Sequence, residues 1–299
     1  MKILFLLCSV LFSISCYSKN IKIIVPYSPG GSTDRVCRVL QAELSNKDYN
    51  FILEYKTGAG GSLAAKYVAS VKNDTVLFVP SNNLITAPLL TVNPPYDVLQ
   101  NFTFVDYIGA EPSMVLVKNN TGIKSYLDLV NKSKVNPMPY GSAGVGTSSH
   151  ISAAIVANNN PNFIHIPFKG GAAALMELLA GNVKWIVDSD IIAGEFIANG
   201  QLKPLAIVGK HRIQKYPSVP TLTELGVNDY GIYRWFILVS NSDANPAIID
   251  YVRSKTATPE FKKKINDLGI QTEKPEYIKH FLSYETIQTE KMLKKVQLE

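Results

Sequence analysis

One local pattern recurs along this chain and restricts its fold more than any other: an apolar strand, a loop crowded with Gly, Ser and Thr, then the start of a helix. Residues 21–26 read as a buried strand and run into the loop Tyr27-Ser28-Pro29-Gly30-Gly31-Ser32-Thr33-Asp34. The next segment places Val36, Val39, Leu40 and Leu44 at helical spacing, with Thr33 or Asp34 as the expected N-cap. The pattern repeats after a strand at 51–55, where Gly58-Ala59-Gly60-Gly61-Ser62 leads into a helix carrying Leu63, Ala64, Tyr67, Val68 and Val71. A third strand at 76–79 ends in Pro80-Ser81-Asn82-Asn83. Strand and helix in alternation imply parallel sheets covered by helices on both faces. In such sheets ligands bind at the carboxyl ends of the strands, where these loops lie.

The same unit returns further on. A strand at 115–117 and a helix at 124–132 precede the short strand 139–141 and the loop Ser142-Ala143-Gly144-Val145-Gly146-Thr147-Ser148-Ser149-His150, which opens a helix. Strands follow at 163–168, 183–188 and 202–208, and Lys169-Gly170-Gly171 starts a helix closed by Gly181. Two regions of about 100 residues, within the ordinary size of one compact unit, predict an α/β, two-lobed architecture. Each lobe is a mainly parallel sheet flanked by helices, with a cleft between. The boundaries expected are 1–18 for a signal peptide, 19–118 for the first part of lobe 1, 119–234 for lobe 2, and 235–299 for a return to lobe 1. That return begins with a strand at 235–239 and ends in helices near 246–257, 259–268 and 275–297.

The first residues point to export. Lys2 precedes an uncharged apolar run from Ile3 to Phe12, and small residues Ser13 and Ser15 follow. This is the layout of a secretory signal peptide, too short for the ~20 residues that span a bilayer. Cleavage is expected after Ser15 or Ser18. Cys16 stands where a lipid-attachment cysteine would, but the residue three before it is Ser13 rather than a large aliphatic, which argues against a lipid anchor. Cys8 and Cys16 belong to this region, leaving Cys37, so no disulfide framework exists. Four scattered histidines give no zinc-binding spacing, and neither a metal nor a cofactor is expected. The net charge of +6 favours anionic solutes weakly, whereas Lys262-Lys263-Lys264 and Lys294-Lys295 read as solvated helix faces, not as a nucleic-acid site.

The chemistry on offer is that of helix N-termini. Their first N–H groups lack partners within the helix and carry a partial positive charge, so they bind carboxylate or phosphate. Glycine lets an anion approach the backbone, and Ser and Thr add hydroxyl donors. One such loop is weak evidence, and four in one chain are stronger. A nucleophile–base pair is the competing reading: Ser142 or Ser148 with His150 would suit an esterase, but no strained elbow presents either serine and no acid in the same block orients the histidine.

Five blocks together resemble the solute receptors of tripartite tricarboxylate transporters, the Bug or TctC-like family. They are residues 24–34, 57–62, 140–150, 165–171 and 219–226, in the family's order and spacing from about residue 21 to the C-terminus. The resemblance implies a periplasmic two-lobed receptor, a small mono-, di- or tricarboxylate as ligand, two integral membrane transporter subunits as partners, a monomeric state and no enzymatic activity. A sensory receptor serving a membrane kinase is the alternative output. It further implies that Tyr27, Pro29, Gly30, Gly31, Ser32, Thr33 and Asp34 face Ser142, Gly144, Gly146, Thr147 and Ser148 across the ligand, with Ser81 and Asp188 completing the pocket. Main-chain amides, hydroxyls and ordered waters, rather than a dedicated arginine, are the family's means of holding the carboxylate. Lys56 and Asn82-Asn83 depart from the usual pattern and leave the ligand open.

Overall fold

The computed structural model describes residues 18–80, 82–209, 211–227, 234–296 and 298. The expected signal peptide, Cys16 and Ser81 lie outside the described residues, Ser18 excepted. The chain begins β1 (Lys19–Val25), α1 (Ser32–Leu44), β2 (Tyr49–Tyr55), α2 (Ser62–Ser70), β3 (Val76–Phe78), α3 (Asn83–Leu89) and β4 (Phe102–Glu111). It continues β5 (Ser113–Lys118), α4 (Tyr126–Ser133), β6 (Tyr140–Ser142), α5 (Ser148–Ala157), β7 (His165–Pro167), α6 (Gly171–Ala180), β8 (Trp185–Asp188), α7 (Asp190–Ala198) and β9 (Leu202–Val208). It closes with β10 (Arg234–Asn241), α8 (Pro246–Thr256), α9 (Pro259–Asp267) and α10 (Phe281–Leu293).

The strands form two five-stranded sheets, ordered β2-β1-β3-β10-β4 and β7-β6-β8-β5-β9. In the first, β1 pairs parallel with β2 and β3, and β10 runs antiparallel to both β3 and β4. In the second, β6 pairs parallel with β7 and β8, and β5 runs antiparallel to β8 and β9. Each sheet thus has one reversed strand, and that strand is the one the chain enters on arriving from the other sheet. The two-lobed, mainly parallel α/β architecture is as the sequence predicts.

Several details differ. Residues 113–118 were expected in the first lobe, yet β5 hydrogen-bonds within the second sheet, so the chain crosses at Pro112. The strand β4 and the helices α3 and α7 carry no clear apolar period in the sequence. Asp106 and Gly109 interrupt β4, and α3 contains Pro88. The helix α1 is capped by Gly31 rather than by Thr33 or Asp34, and no side chain caps it. The C-terminal helices were expected to pack mainly on the first lobe. Phe281 and Leu282 do so, but Met292, at the far end of α10, and Val296, just beyond it, join the apolar cluster of the second sheet.

That second cluster centres on Trp185, which is fully buried. Its ring stacks on Tyr140 at 4.6 Å and meets Phe163 edge-on at 5.0 Å, while its indole N–H donates to the Met138 carbonyl at 3.3 Å. Trp185→Ala is expected to cost about 3–5 kcal/mol of stability, the usual toll of emptying a large aromatic site. Urea unfolding measures it, and a loss below about 1 kcal/mol would show that the cluster is not a packed core.

Candidate functional site

The carboxyl ends of both sheets face a cleft of about 450 Å³. Its walls include Tyr27, Gly31, Ser32 and Thr33 from the start of α1, Ala143, Thr147 and Ser148 from the start of α5, and Gly171 from the start of α6. Three helix N-termini therefore converge on one space. The first N–H groups of each helix have no partner inside it and carry roughly half a positive charge between them. Pro80, Ile192, Trp235 and Phe236 supply apolar wall, and Asp188 and Arg234 add charge.

Hydrogen bonding sorts the residues singled out from sequence into two groups. Ser142 accepts the Gly144 N–H at 3.1 Å and contacts His165 Nε2 at 2.6 Å, and Thr147 donates to the Gly144 carbonyl at 2.7 Å. These hydroxyls brace their own loop, and Ser142, Gly144 and Gly146 do not line the cleft. Asp34 likewise faces inward to its own segment: it accepts from the Gly30 N–H at 2.9 Å, Arg38 Nε at 3.0 Å and the Tyr55 hydroxyl at 2.6 Å. Burial pushes its carboxyl up, but these three donors outweigh that and hold it below the ordinary value. Pro29 and Gly30 are exposed. Thr33 and Ser148, by contrast, line the cleft from opposite lobes, and neither hydroxyl makes a hydrogen bond among the described residues.

The two lobes touch directly around this space. Ser28 donates through both its N–H and its hydroxyl to the Lys169 carbonyl, at 3.1 and 3.0 Å. Asn83 Nδ2 donates to the Val145 carbonyl at 2.9 Å, and the Ser32 and Ser189 hydroxyls lie 3.1 Å apart. The backbones approach one another closely at Gly60 and Gly144. Gly144 has φ +127°, and a Cβ placed on it would stand 2.8 Å from the Gly60 Cα, so only glycine fits there.

Asp188 and Arg234 of the cleft wall form a charged trio with Glu111 beside it, which the sequence reading missed in part. Arg234 Nη1 lies 2.5 Å from Asp188 Oδ1, 3.4 Å from the Ser32 hydroxyl and 3.6 Å from Glu111 Oε1. Asp188 also accepts its neighbour Ser189's N–H at 2.8 Å. Burial pulls the Arg234 guanidinium down, but Asp188 and Glu111 more than offset this and its pKa is raised. Glu111 is shifted toward its neutral form: burial, opposed by Arg234 and aided by Asp188, pushes its carboxyl up to about 8. The available signal for Arg234 was a charge set directly before the apolar run Trp235-Phe236-Ile237-Leu238-Val239. For Glu111 no signal existed, because its partners lie far away in sequence.

The serine–histidine pairing considered from sequence does not form. His150 Nδ1 accepts the Gly146 N–H at 3.1 Å, and its ring is buried and stacked on His165 at 3.8 Å. Burial and His165 lower its pKa to about 3, which keeps it neutral, and no bond joins it to Ser148 among the described residues. No group of three or more metal-ligating side chains occurs among the described residues, and no helix among them is long and apolar enough to cross a membrane.

The profile of the tripartite tricarboxylate transporter family receptors, TctC, matches residues 36–298. The chain belongs to that family. A relative from Pseudomonas sp. (strain P51), encoded between tcbD and tcbE, is 24% identical over 293 residues, 94% of this chain and 87% of its own length. The periplasmic binding protein BugD has the same fold, with a TM-score of 0.84 at 23% identity, over 95% of this chain and 99% of that one. MatC from Rhodopseudomonas palustris, solved with bound malate, superposes with a TM-score of 0.83 at 23% identity, over 92% of this chain and 98% of its own. The fold and the family are those of solute-binding receptors.

Two outcomes test the site's physics. From about pH 4.5 to about 8 the folded chain keeps a proton on Glu111 that the unfolded chain releases, so this group lowers stability as pH rises across that window. Glu111→Gln should remove that slope, up to ~1.4 kcal/mol per pH unit. Denaturant titrations at several pH values measure it, and parallel curves for the two proteins would contradict a buried, protonated Glu111. Gly144→Ala should leave the fold intact but hold the lobes apart, seen as a larger radius of gyration by small-angle scattering. An unchanged radius would show that the Gly60–Gly144 approach does not govern closure.

Proposed function

We propose that this protein is an extracytoplasmic receptor that captures a small carboxylate between its lobes and delivers it to the membrane subunits of a tripartite tricarboxylate-type transporter, without catalysing a reaction. The observation that carries this reading is the convergence of the N-termini of α1, α5 and α6 on one small cleft, together with the unspent hydroxyls of Thr33 and Ser148 from opposite lobes. Dipoles of one sign meeting in a water-poor space favour an anion. The malate in the MatC neighbour is of the same chemical class.

In mechanism, the carboxylate first takes the free amides at the start of α1 and the Thr33 hydroxyl. The α5 loop then adds its amides and Ser148, and the lobes close by a hinge at the two crossings. A ligand favours closure only by the extra affinity it gains in the closed form. The direct bonds from Ser28 to Lys169 and from Asn83 to Val145 belong to that closed form, and the membrane partner reads the closed surface. The N-terminal apolar segment fits secretion to the periplasm with removal of residues 1–18, and lobes bounded at Pro112 and before Arg234 fit a monomeric receptor.

Differential scanning fluorimetry against a carboxylate panel tests the reading. A true ligand at a hundred times its Kd should add about 2.7 kcal/mol of stability. A response to sugars or cations and to no carboxylate would defeat it. Gly31→Val should abolish the response while leaving the fold in place. Gly31 has φ −79°, and a Cβ there meets only the Ser28 carbonyl at 3.9 Å, so the added side chain blocks the amides without straining the loop. A variant that responds like the wild type would remove the α1 N-terminus from the site.

A further inference from the structure

The guanidinium of Arg234 is bound on one side only. Its Nη1 is taken by Asp188 and neighbours Ser32, but its Nε–H is buried and has no hydrogen-bond partner among the described residues. The side chain is nine-tenths buried and forms part of the cleft wall. A buried donor without a partner is costly, and native interiors seldom leave one unless something else binds it. Arginine's fork geometry gives the reason this donor matters. With Nη1 turned to Asp188, the edge that carries Nε–H is the one left for a second acceptor, and carboxylates are the acceptors that edge fits best.

We propose that Arg234 is a ligand-binding residue, whose Nε–H takes an oxygen of the bound carboxylate beside the α1 N-terminus while Nη1 stays on Asp188. The inference rests on the carboxylate-receptor reading and deepens it, since it adds a fixed cation to what would otherwise be a site of amides and hydroxyls. It also redefines Asp188. That residue does not meet the ligand directly but orients the guanidinium and balances its charge. Glu111, whose Oε1 is buried, has no hydrogen bond among the described residues and lies 3.6 Å from Nη1, completes the trio. An arginine paired in this way presents a directed N–H with little net charge, so the site selects for the geometry of a carboxylate and not merely for negative charge.

Isothermal titration of the full secreted chain with succinate, adipate, malate and propionate, and with the matching amides, tests this. The carboxylate that binds the wild type best should lose at least about tenfold in affinity in Arg234→Gln, the expected loss for one charge-assisted hydrogen bond. Arg234→Lys keeps the charge for Asp188 but lacks the side-on N–H, and it should lose about as much while melting at the wild-type temperature. It therefore decides the matter if Arg234→Gln does not fold. Asp188→Asn keeps an amide oxygen to accept from Nη1 and orient the guanidinium but removes the negative charge, and should bind the carboxylate as tightly or more tightly. Affinities within about twofold of wild type in both Arg234 variants would overturn the proposal and leave the receptor reading standing. So would a large loss in Asp188→Asn with none in Arg234→Lys, because Asp188 would then be the contact. A wild type that binds no carboxylate at all would sink the receptor reading, and this proposal with it.

Discussion

The amides at the beginning of a helix cannot be satisfied by the helix itself, and this chain puts three such beginnings at one place. That single constraint explains much of the arrangement around them. Parallel strands deliver their following helices with N-termini at the sheet's carboxyl edge, so two sheets set edge to edge point these groups at one another. Glycine at the caps of α1 and α6 leaves the amides uncovered by any side chain. The loop before α5 solves the opposite problem. Its own hydroxyls tie it down, so that Ser148 is held in position to face the cleft.

Rigidity and opening have to coexist in such a molecule. The lobes share a cleft, two strand crossings and a C-terminal helix whose ends belong to different apolar clusters. Phe281 is fixed among Trp235, Phe104 and Tyr277 of the first lobe, whereas Met292 and Val296 belong to the apolar cluster of the second. Hinge motion in the proposed mechanism therefore involves α10 as well as the crossings. Across the mouth the lobes are joined by main-chain carbonyls and single side chains, contacts that water replaces at little cost when the cleft opens. The Arg234–Asp188 pair is different. It joins β10 to β8 in a buried place, and parting it would expose uncompensated charge.

Family membership and cleft chemistry point the same way but by separate routes. The profile match rests on sequence along most of the chain. The cleft argument rests on dipoles and free hydroxyls, and would stand for a chain with no relatives. Neither names the ligand. Asp188 and Arg234 are the charged residues of the cleft wall, Ser32, Thr33, Thr147 and Ser148 its hydroxyls, and Pro80, Ile192, Trp235 and Phe236 its apolar part.

Much of this was legible in the primary structure. The alternation of apolar runs with Gly-Ser-Thr loops specified the α/β sheets, because strand and helix periods are local properties of the chain, and the family resemblance implied that the first loop faces the loop before α5, as Tyr27, Thr33, Thr147 and Ser148 do around the cleft. What each polar side chain does was not legible. Asp34 and Ser142 have the composition of ligand contacts, yet the nearest donors and acceptors turn out to be their own loops and Tyr55 and His165. The trio of Glu111, Asp188 and Arg234 comes from three strands that meet only once both sheets are assembled, and β5 joined the second sheet against the order of the chain. Hydrogen-bond partners and burial are set by neighbours distant in sequence, so only the tertiary structure could decide which of the many polar groups remain free to bind.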